Sequence, residues 1–165
     1  MEISVRKATA DDYIAWCNLY DELDAWHRHH LPHLFQKPAG PVREEDYYIG
    51  LLADEDGTVF VAQAGEELVG FVHVAVMQAP DIPVFVPRRY ASVDSVVVKQ
   101  GFQNHGVGKL LMDAMQAWAV EQGATSIELN VYAFNESAIA FYEGLGYQTL
   151  SRKMSKELNE DTAAG

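Results

Sequence analysis

Val96-Val97-Val98-Lys99-Gln100-Gly101-Phe102-Gln103-Asn104-His105-Gly106-Val107-Gly108-Lys109 constrains this chain more than any other stretch. Three β-branched residues favour a buried strand, and Val107, Leu110, Leu111, Ala114 and Trp118 then recur at helical spacing. A strand therefore hands over to a helix through a turn bearing two glycines. The first turn of such a helix leaves N–H groups without intrahelical partners at the positive end of the dipole, and glycine lets an anion approach them. Spacing separates the glycine motifs that use this device. A Walker loop needs glycine five residues before the Gly-Lys pair and Ser or Thr after it, where Gln103 and Leu110 stand. A dinucleotide fingerprint starting at Gly106 needs glycine or alanine where Leu111 stands. What remains is Gln-x-x-Gly-x-Gly after a strand.

The rest of the chain reads as an alternation of short elements. Ile3 to Arg6 alternates as a half-buried strand, and Thr9, Asp11 and Asp12 supply an oxygen cap and early negative charge for a first helix. That helix carries Ile14, Leu19, Leu23 and Trp26 and is ended by Pro32. A short helix is expected over Glu44 to Ala53, with Glu44, Glu45 and Asp46 as its charged first turn. Val59 to Ala62 and Leu68 to Met77, joined at Gly65-Glu66-Glu67, predict an antiparallel hairpin. Pro80, Pro83 and Pro87 exclude an inner strand over Gln78 to Pro87, which reads as an excursion loop over a site. Ser92 to Val98 is the next strand, followed by a helix from Gly106 to Gln122. Ile127, Leu129 and Val131 then alternate with polar residues, Asn135 is placed to cap a helix reaching Gly144, and a last strand is expected from Tyr147. No linker or internal period divides the chain, so residues 1–156 read as a single domain and 157–165 as a frayed tail.

At this point the sequence resembles the GNAT superfamily of acyl-CoA-dependent N-acetyltransferases, over roughly residues 1–156. Two motifs carry the resemblance: the loop Gln103 to Lys109 after its strand, and the downstream run Asn135-Glu136-Ser137-Ala138-Ile139-Ala140-Phe141-Tyr142-Glu143-Gly144-Leu145-Gly146-Tyr147. The resemblance implies an α/β fold, with about four helices around a mixed, mostly antiparallel sheet of six to seven strands. That sheet splays between the strand ending near Val98 and the strand Ile127 to Val131, leaving a wedge for pantetheine. It further implies acetyl-CoA as cofactor. The amide of Val96 would polarise the thioester carbonyl and that of Val98 would bond the pantetheine arm. Gln103, Asn104, His105, Gly106, Val107, Gly108 and Lys109 would cradle the pyrophosphate, with Asn135 on the cofactor side. Relatives commonly carry a cation just before the first motif glycine, where this chain has His105. Tyr142 matches the tyrosine that protonates the departing thiolate, and a phenol of pKa about 10 is suitably protonated at neutral pH. Asp94, two residues before Val96, is the candidate base.

Composition narrows the partners. Twelve Lys and Arg against 24 Asp and Glu leave a net charge of −12, which argues against nucleic acid and favours a cationic acceptor. The lone Cys17 excludes a disulfide framework, and no apolar run is long enough to span a membrane, so a cytoplasmic protein is expected. Among His27, His29, His30 and His33 no i, i+4 pair comes with an assigned acidic third ligand, and Pro32 interrupts the helix, so no metal is expected. By resemblance, His30, His33 and Phe35 are candidates for the acceptor pocket, and a homodimer is compatible with the edge strands. The expected function is acetyl transfer to a primary amine of a small molecule, peptide or protein. A silent acyl-CoA-binding sensor or interaction module would keep the same cradle and is the alternative.

Overall fold

A computed structural model describes residues 2–163. Their contacts divide into two compact units, one up to Asn130 and one from Val131 onward. In the first unit, β1 (Ile3–Lys7) leads through a 3-10 turn at Ala10–Asp12 into α1 (Tyr13–His30). There follow α2 (Glu45–Ala53), β2 (Gly57–Ala64), β3 (Glu67–Gln78), β4 (Arg89–Val98), α3 (Val107–Glu121) and β5 (Ser126–Leu129). The turn before α1 forms because the Asp12 carboxylate accepts the Thr9 N–H at 2.8 Å while the Arg6 guanidinium grips both its oxygens, at 2.8 and 2.9 Å.

Among the described residues five strands form one sheet in the order β1-β2-β3-β4-β5, where six to seven were expected. The first three pairings are antiparallel, and β4 with β5, joined by the α3 crossover, is parallel. The mixed α/β architecture is as expected; the strand count is not. The segment from Gln148 to Asn159 forms no strand, and Leu150 and Met154 stand exposed. Val131, expected in the fifth strand, lies beyond β5. Alternation marks a face suited to burial, but a strand also needs a neighbour to bond its N–H and C=O groups, and alternation is silent about that.

Side-chain alternation along β3 sorts the helices onto two faces. Phe71 joins Trp16, Leu19 and Tyr20 of α1, Tyr48 of α2, Val59, Val61 and Val97 in one buried cluster. Trp16 is its hub, with ring centroids 4.8 Å from Tyr20 and 4.7 Å from Tyr48. Gly70, one residue before Phe71, faces the other way: a Cβ there would meet Leu111 and Val107 of α3, and would stand 2.7 Å from the Val97 carbonyl oxygen. Only glycine lets α3 and β4 approach β3 so closely. On this second face α3 buries Val107, Leu111, Met112, Met115 and Trp118.

The second unit contains α4 (Glu136–Gly144) and α5 (Glu160–Ala163). Asn135 caps α4, its side-chain oxygen accepting the Ala138 N–H at 3.3 Å. Of the tail expected to fray, Glu160–Ala163 form one helical turn, and residues 164 and 165 lie outside the described residues. No helix among the described residues is long and apolar enough to cross a membrane.

Candidate functional site

The parallel ladder between β4 and β5 covers only Tyr90 to Val93 against Ser126 to Leu129. Past Val93, among the described residues, β4 is paired on its β3 side alone, so its other edge carries no ladder. The N–H of Lys99 donates to Val69 O at 2.8 Å, which sets the phase of the strand: alternate residues turn their N–H groups away from β3. Val98 and Val96 therefore present their amides to the open edge. The Val98 carbonyl, on the same side, accepts the Gln103 side-chain amide at 3.2 Å, and this bond folds the following loop back onto the strand end.

That loop turns by three left-handed residues, Gly101 (φ 94°), Asn104 (φ 63°) and Gly106 (φ 81°). The His105 ring stands with Nδ1 2.7 Å from Gln103 O, which braces the turn. The first bond inside α3 runs from the Leu110 N–H to Gly106 O, so the N–H groups of Val107, Gly108 and Lys109 have no partner within the helix. A Cβ on Gly106 would find nothing within 4 Å. This glycine is therefore required by its backbone angle and not by packing. The Lys109 ammonium is paired with Asp113 at 2.6 Å, one turn along. A strand end, an open edge and a helix start thus gather N–H donors in one place, with one cation beside them.

Asp94 sits at an irregularity of the same strand. Ser95 pairs with His73 and Val93 with Val74, which leaves Asp94 bulged out of register. Its Oδ2 lies 2.9 Å from Ser95 Oγ and 3.1 Å from the Tyr20 hydroxyl, which is itself 2.7 Å from Ser95 Oγ. His73 Nδ1, on a buried ring, is at ion-pair distance, 3.4 Å, without forming a hydrogen bond. His73 foremost, with the Ser95 and Tyr20 hydroxyls, holds the Asp94 carboxyl at about 2 against the opposing effect of burial. Asp94 is charged at neutral pH and far below the poise of a general base.

Sequence reasoning did not reach Tyr20, Ser95 or Arg43, and it left His73 unassigned. Tyr20 stands four residues after Trp16, a spacing that puts it on the same face of α1, and that was the available signal, since a buried tyrosine hydroxyl needs a partner. Arg43 stacks its guanidinium 4.0 Å over the Tyr20 ring and pairs with Asp24 at 2.9 Å.

The other candidates lie elsewhere. His30 ends α1, about 15 Å along the axis from Tyr20 at 1.5 Å per residue, and His33 and Phe35 follow it. His27 stacks on Phe35 at 5.1 Å and Trp26 packs on His30 at 4.2 Å. The partners of Asp94 named above include none of His30, His33 or Phe35. In the second unit Asn135 and Tyr142 share α4, about two turns apart. Burial pushes the Tyr142 phenol up to about 12, and its ring meets Tyr147 at 5.8 Å. Two surface hollows, of about 260 Å³ beside Thr58 and Trp118 and about 320 Å³ beside Cys17 and Pro41, do not include the β4–α3 junction.

Comparison with known proteins accords with this geometry. Residues 16–147 match the model of the Acetyltransferase (GNAT) family. The uncharacterized N-acetyltransferase YdgE of Bacillus subtilis (strain 168) is 31% identical over 72 residues, 44% of this chain and 46% of that protein. L-ornithine N5-acetyltransferase NATA1 of Arabidopsis thaliana is 32% identical over 69 residues, 42% of this chain and 30% of that protein. The chain thus spans less than half the length of these curated relatives. Among solved structures, a mutant of the BH1408 protein from Bacillus halodurans superposes with a TM-score of 0.90 at 24% identity, covering 94% of this chain and 99% of that one. Aminoglycoside N-acetyltransferase AAC(6')-Iy in complex with CoA superposes with a TM-score of 0.72 at 15% identity, covering 94% and 99%. At these identities the likeness is one of fold. Because the family match takes in β4, the glycine turn and α4 together, the chain belongs to the acetyltransferase (GNAT) family.

Proposed function

We propose that the chain is an N-acetyltransferase that moves an acetyl group from acetyl-CoA to a primary amine by direct attack. The observation that carries this reading is the junction of the open β4 edge with the first turn of α3, where amide donors converge without helical or ladder partners. Those donors fit a diphosphate: they are neutral N–H groups at a helix start, and the space over Gly106 is clear of side chains. When bound, acetyl-CoA supplies an acetyl group activated as a thioester.

The chain's own residues then divide the work. The backbone from Gln103 to Lys109 holds the diphosphate, and the Val98 amide holds the pantetheine arm. The Val96 amide donates to the thioester oxygen and stabilises the charge that develops there, a contribution of about 3–4 kcal/mol when such a donor is preorganised. By the family resemblance Asn135 would serve on the cofactor side, and Tyr142, kept protonated by burial, would donate to the leaving sulfur. Burial makes this phenol a weaker acid than the departing thiol, so hydrogen bonding is the larger part of its work. Asp94 enters as the anion on the acceptor side, and the proton released by the amine leaves through solvent.

An amine acceptor is in keeping with the relative named for ornithine. The test is steady thiol release from acetyl-CoA over a panel of primary amines and peptides, with mass analysis locating the acetyl group. Gly108→Glu, which places a carboxylate in the cradle, is expected to abolish turnover. Tight CoA binding with no turnover on any amine would overturn the enzyme reading in favour of a sensor.

A further inference from the structure

Lys7 and Thr58 project from the sheet on the α3 side: Lys7 pairs with Phe60, two residues on from Thr58, while the alternate residues Val59 and Val61 enter the cluster beneath α1 and α2. Trp118 and Gln122 close on the same face from the end of α3, and Asp54 and Glu55 arrive from the turn after α2. These six residues wall the hollow of about 260 Å³. Thr58 and Trp118 are only 8% and 7% exposed, yet neither the Thr58 hydroxyl nor the Trp118 indole N–H has a hydrogen-bond partner among the described residues. Neither atom is sealed in, because the unpartnered polar atoms shut off from solvent belong to Trp16, Arg28 and His73. Polar groups nine-tenths withdrawn from water normally hold a partner, and these two face the hollow without one in the protein.

Charge around the hollow says what such a partner carries. The Lys7 ammonium has no ion pair among the described residues, and no cation pairs with Asp54 or Glu55, although Asp54 Oδ1 accepts the Asp56 N–H at 3.0 Å. Asp56, the remaining acid of this turn, faces Arg89 at 3.8 Å. Opposite charges lining one small hollow would ordinarily meet; these do not, and two buried donors share their wall. A carboxylate suits Lys7, the Thr58 hydroxyl and the Trp118 N–H, an ammonium suits Asp54 and Glu55, and Leu52 with the indole face offers apolar surface. We propose that this hollow is a binding site for a free α-amino acid with an apolar side chain, held as its zwitterion. It is separate from the β4–α3 junction: from Val107 to Trp118 the helix rises about 17 Å at 1.5 Å per residue, and Thr58 reaches β4 only across Val74 to Val93. An amine held there is not the acetyl acceptor, and the inference stands apart from the acetyl-transfer reading.

The test follows the Trp118 indole N–H resonance of the full chain at pH 7 during titration with L-leucine. The comparisons are 4-methylpentanoate, which lacks the ammonium, and 3-methylbutylamine, which lacks the carboxylate, all at equal ionic strength. Leucine is expected to bind about tenfold more tightly than either, since each comparison forfeits one charged contact. Thr58→Val, which keeps the branched shape and removes the hydroxyl, and Lys7→Met, on an exposed side chain whose loss leaves the core untouched, should each weaken leucine binding about three- to tenfold. A Trp118 resonance that leucine leaves unmoved, or that all three compounds move alike, would overturn the proposal. So would leucine affinity unchanged in either variant, or leucine-induced shifts confined to the amides of Val96 and Gly108. Thiol release from acetyl-CoA is read separately, and its failure leaves this site standing.

Discussion

Alanine at position 106 separates what the glycine turn does for folding from what it does for a ligand. Gly106 has φ 81°, where an L-residue costs about 1–2 kcal/mol, and its Cβ would meet nothing within 4 Å. With about 2.1 cal/mol/K of unfolding entropy per residue over 165 residues, that penalty lowers Tm by about 3–6 °C. The added methyl occupies the approach to the α3 amides, and losing one charge-assisted hydrogen bond of about 1.5–3 kcal/mol weakens CoA binding about ten- to a hundredfold. Gly70→Ala is the counterpart. Its Cβ would stand 2.7 Å from the Val97 carbonyl oxygen and 3.1 Å from Leu111 Cδ1, and the carbonyl belongs to backbone that cannot swing aside. Overpacking of this kind reaches about 3 kcal/mol, or about 9 °C. Thermal melting and calorimetric titration with CoA on both variants give the comparison. The reasoning fails if Gly106→Ala melts as low as Gly70→Ala while binding CoA within about twofold of the unmodified protein.

Other perturbations probe separate parts of the structure. The Arg6 guanidinium, foremost, holds the Asp12 carboxyl below its ordinary value, so its stabilisation is complete above the unfolded value near 3.9 and is lost as pH falls through the folded one. Asp12→Asn should therefore lower Tm by about 3–10 °C at pH 7, with the gap to the unmodified protein closing below pH 4 in melting curves. Tyr142→Phe should slow thiol release about ten- to a hundredfold at saturating substrates. Because burial raises the Tyr142 phenol to about 12, no alkaline loss of rate from this group is expected between pH 8 and 10, and a fall there that Tyr142→Phe removes would contradict the assignment. Asp113→Asn releases Lys109 from its partner, and CoA affinity should rise a few-fold at low salt and return to the unmodified value near 0.5 M salt.

Much of the scaffold was legible one residue after another. The run from Val96 to Lys109 announces strand, turn and helix because β-branching, glycine and the apolar face of α3 are local properties, and the structure has those elements in that order. Thr9 and Asp12 at the start of α1 and Asn135 at the start of α4 are likewise local, since a cap reaches only three residues ahead. The strand expected from Tyr147 shows where such reading stops. Its apolar residues Tyr147, Leu150 and Met154 do not alternate, Leu150 and Met154 stand exposed, and no ladder partner exists among the described residues.

Asp94 shows the same division at the site. Its position before Val96 and its charge could be read directly, and they suggested a base. Its environment could not be read, because Tyr20, His73 and Ser95 reach it from residues 74, 21 and 1 positions away in the chain. The sequence by itself determined the strand-turn-helix that gathers free amides, since backbone angles and end-of-helix donors follow from neighbouring residues. The tertiary structure alone decided that β5 leaves β4 after Val93 and that Tyr20, Ser95 and His73 gather at one oxygen of Asp94. Edge exposure and carboxylate orientation depend on which distant segments pack together, and packing is settled only when the whole sheet has formed.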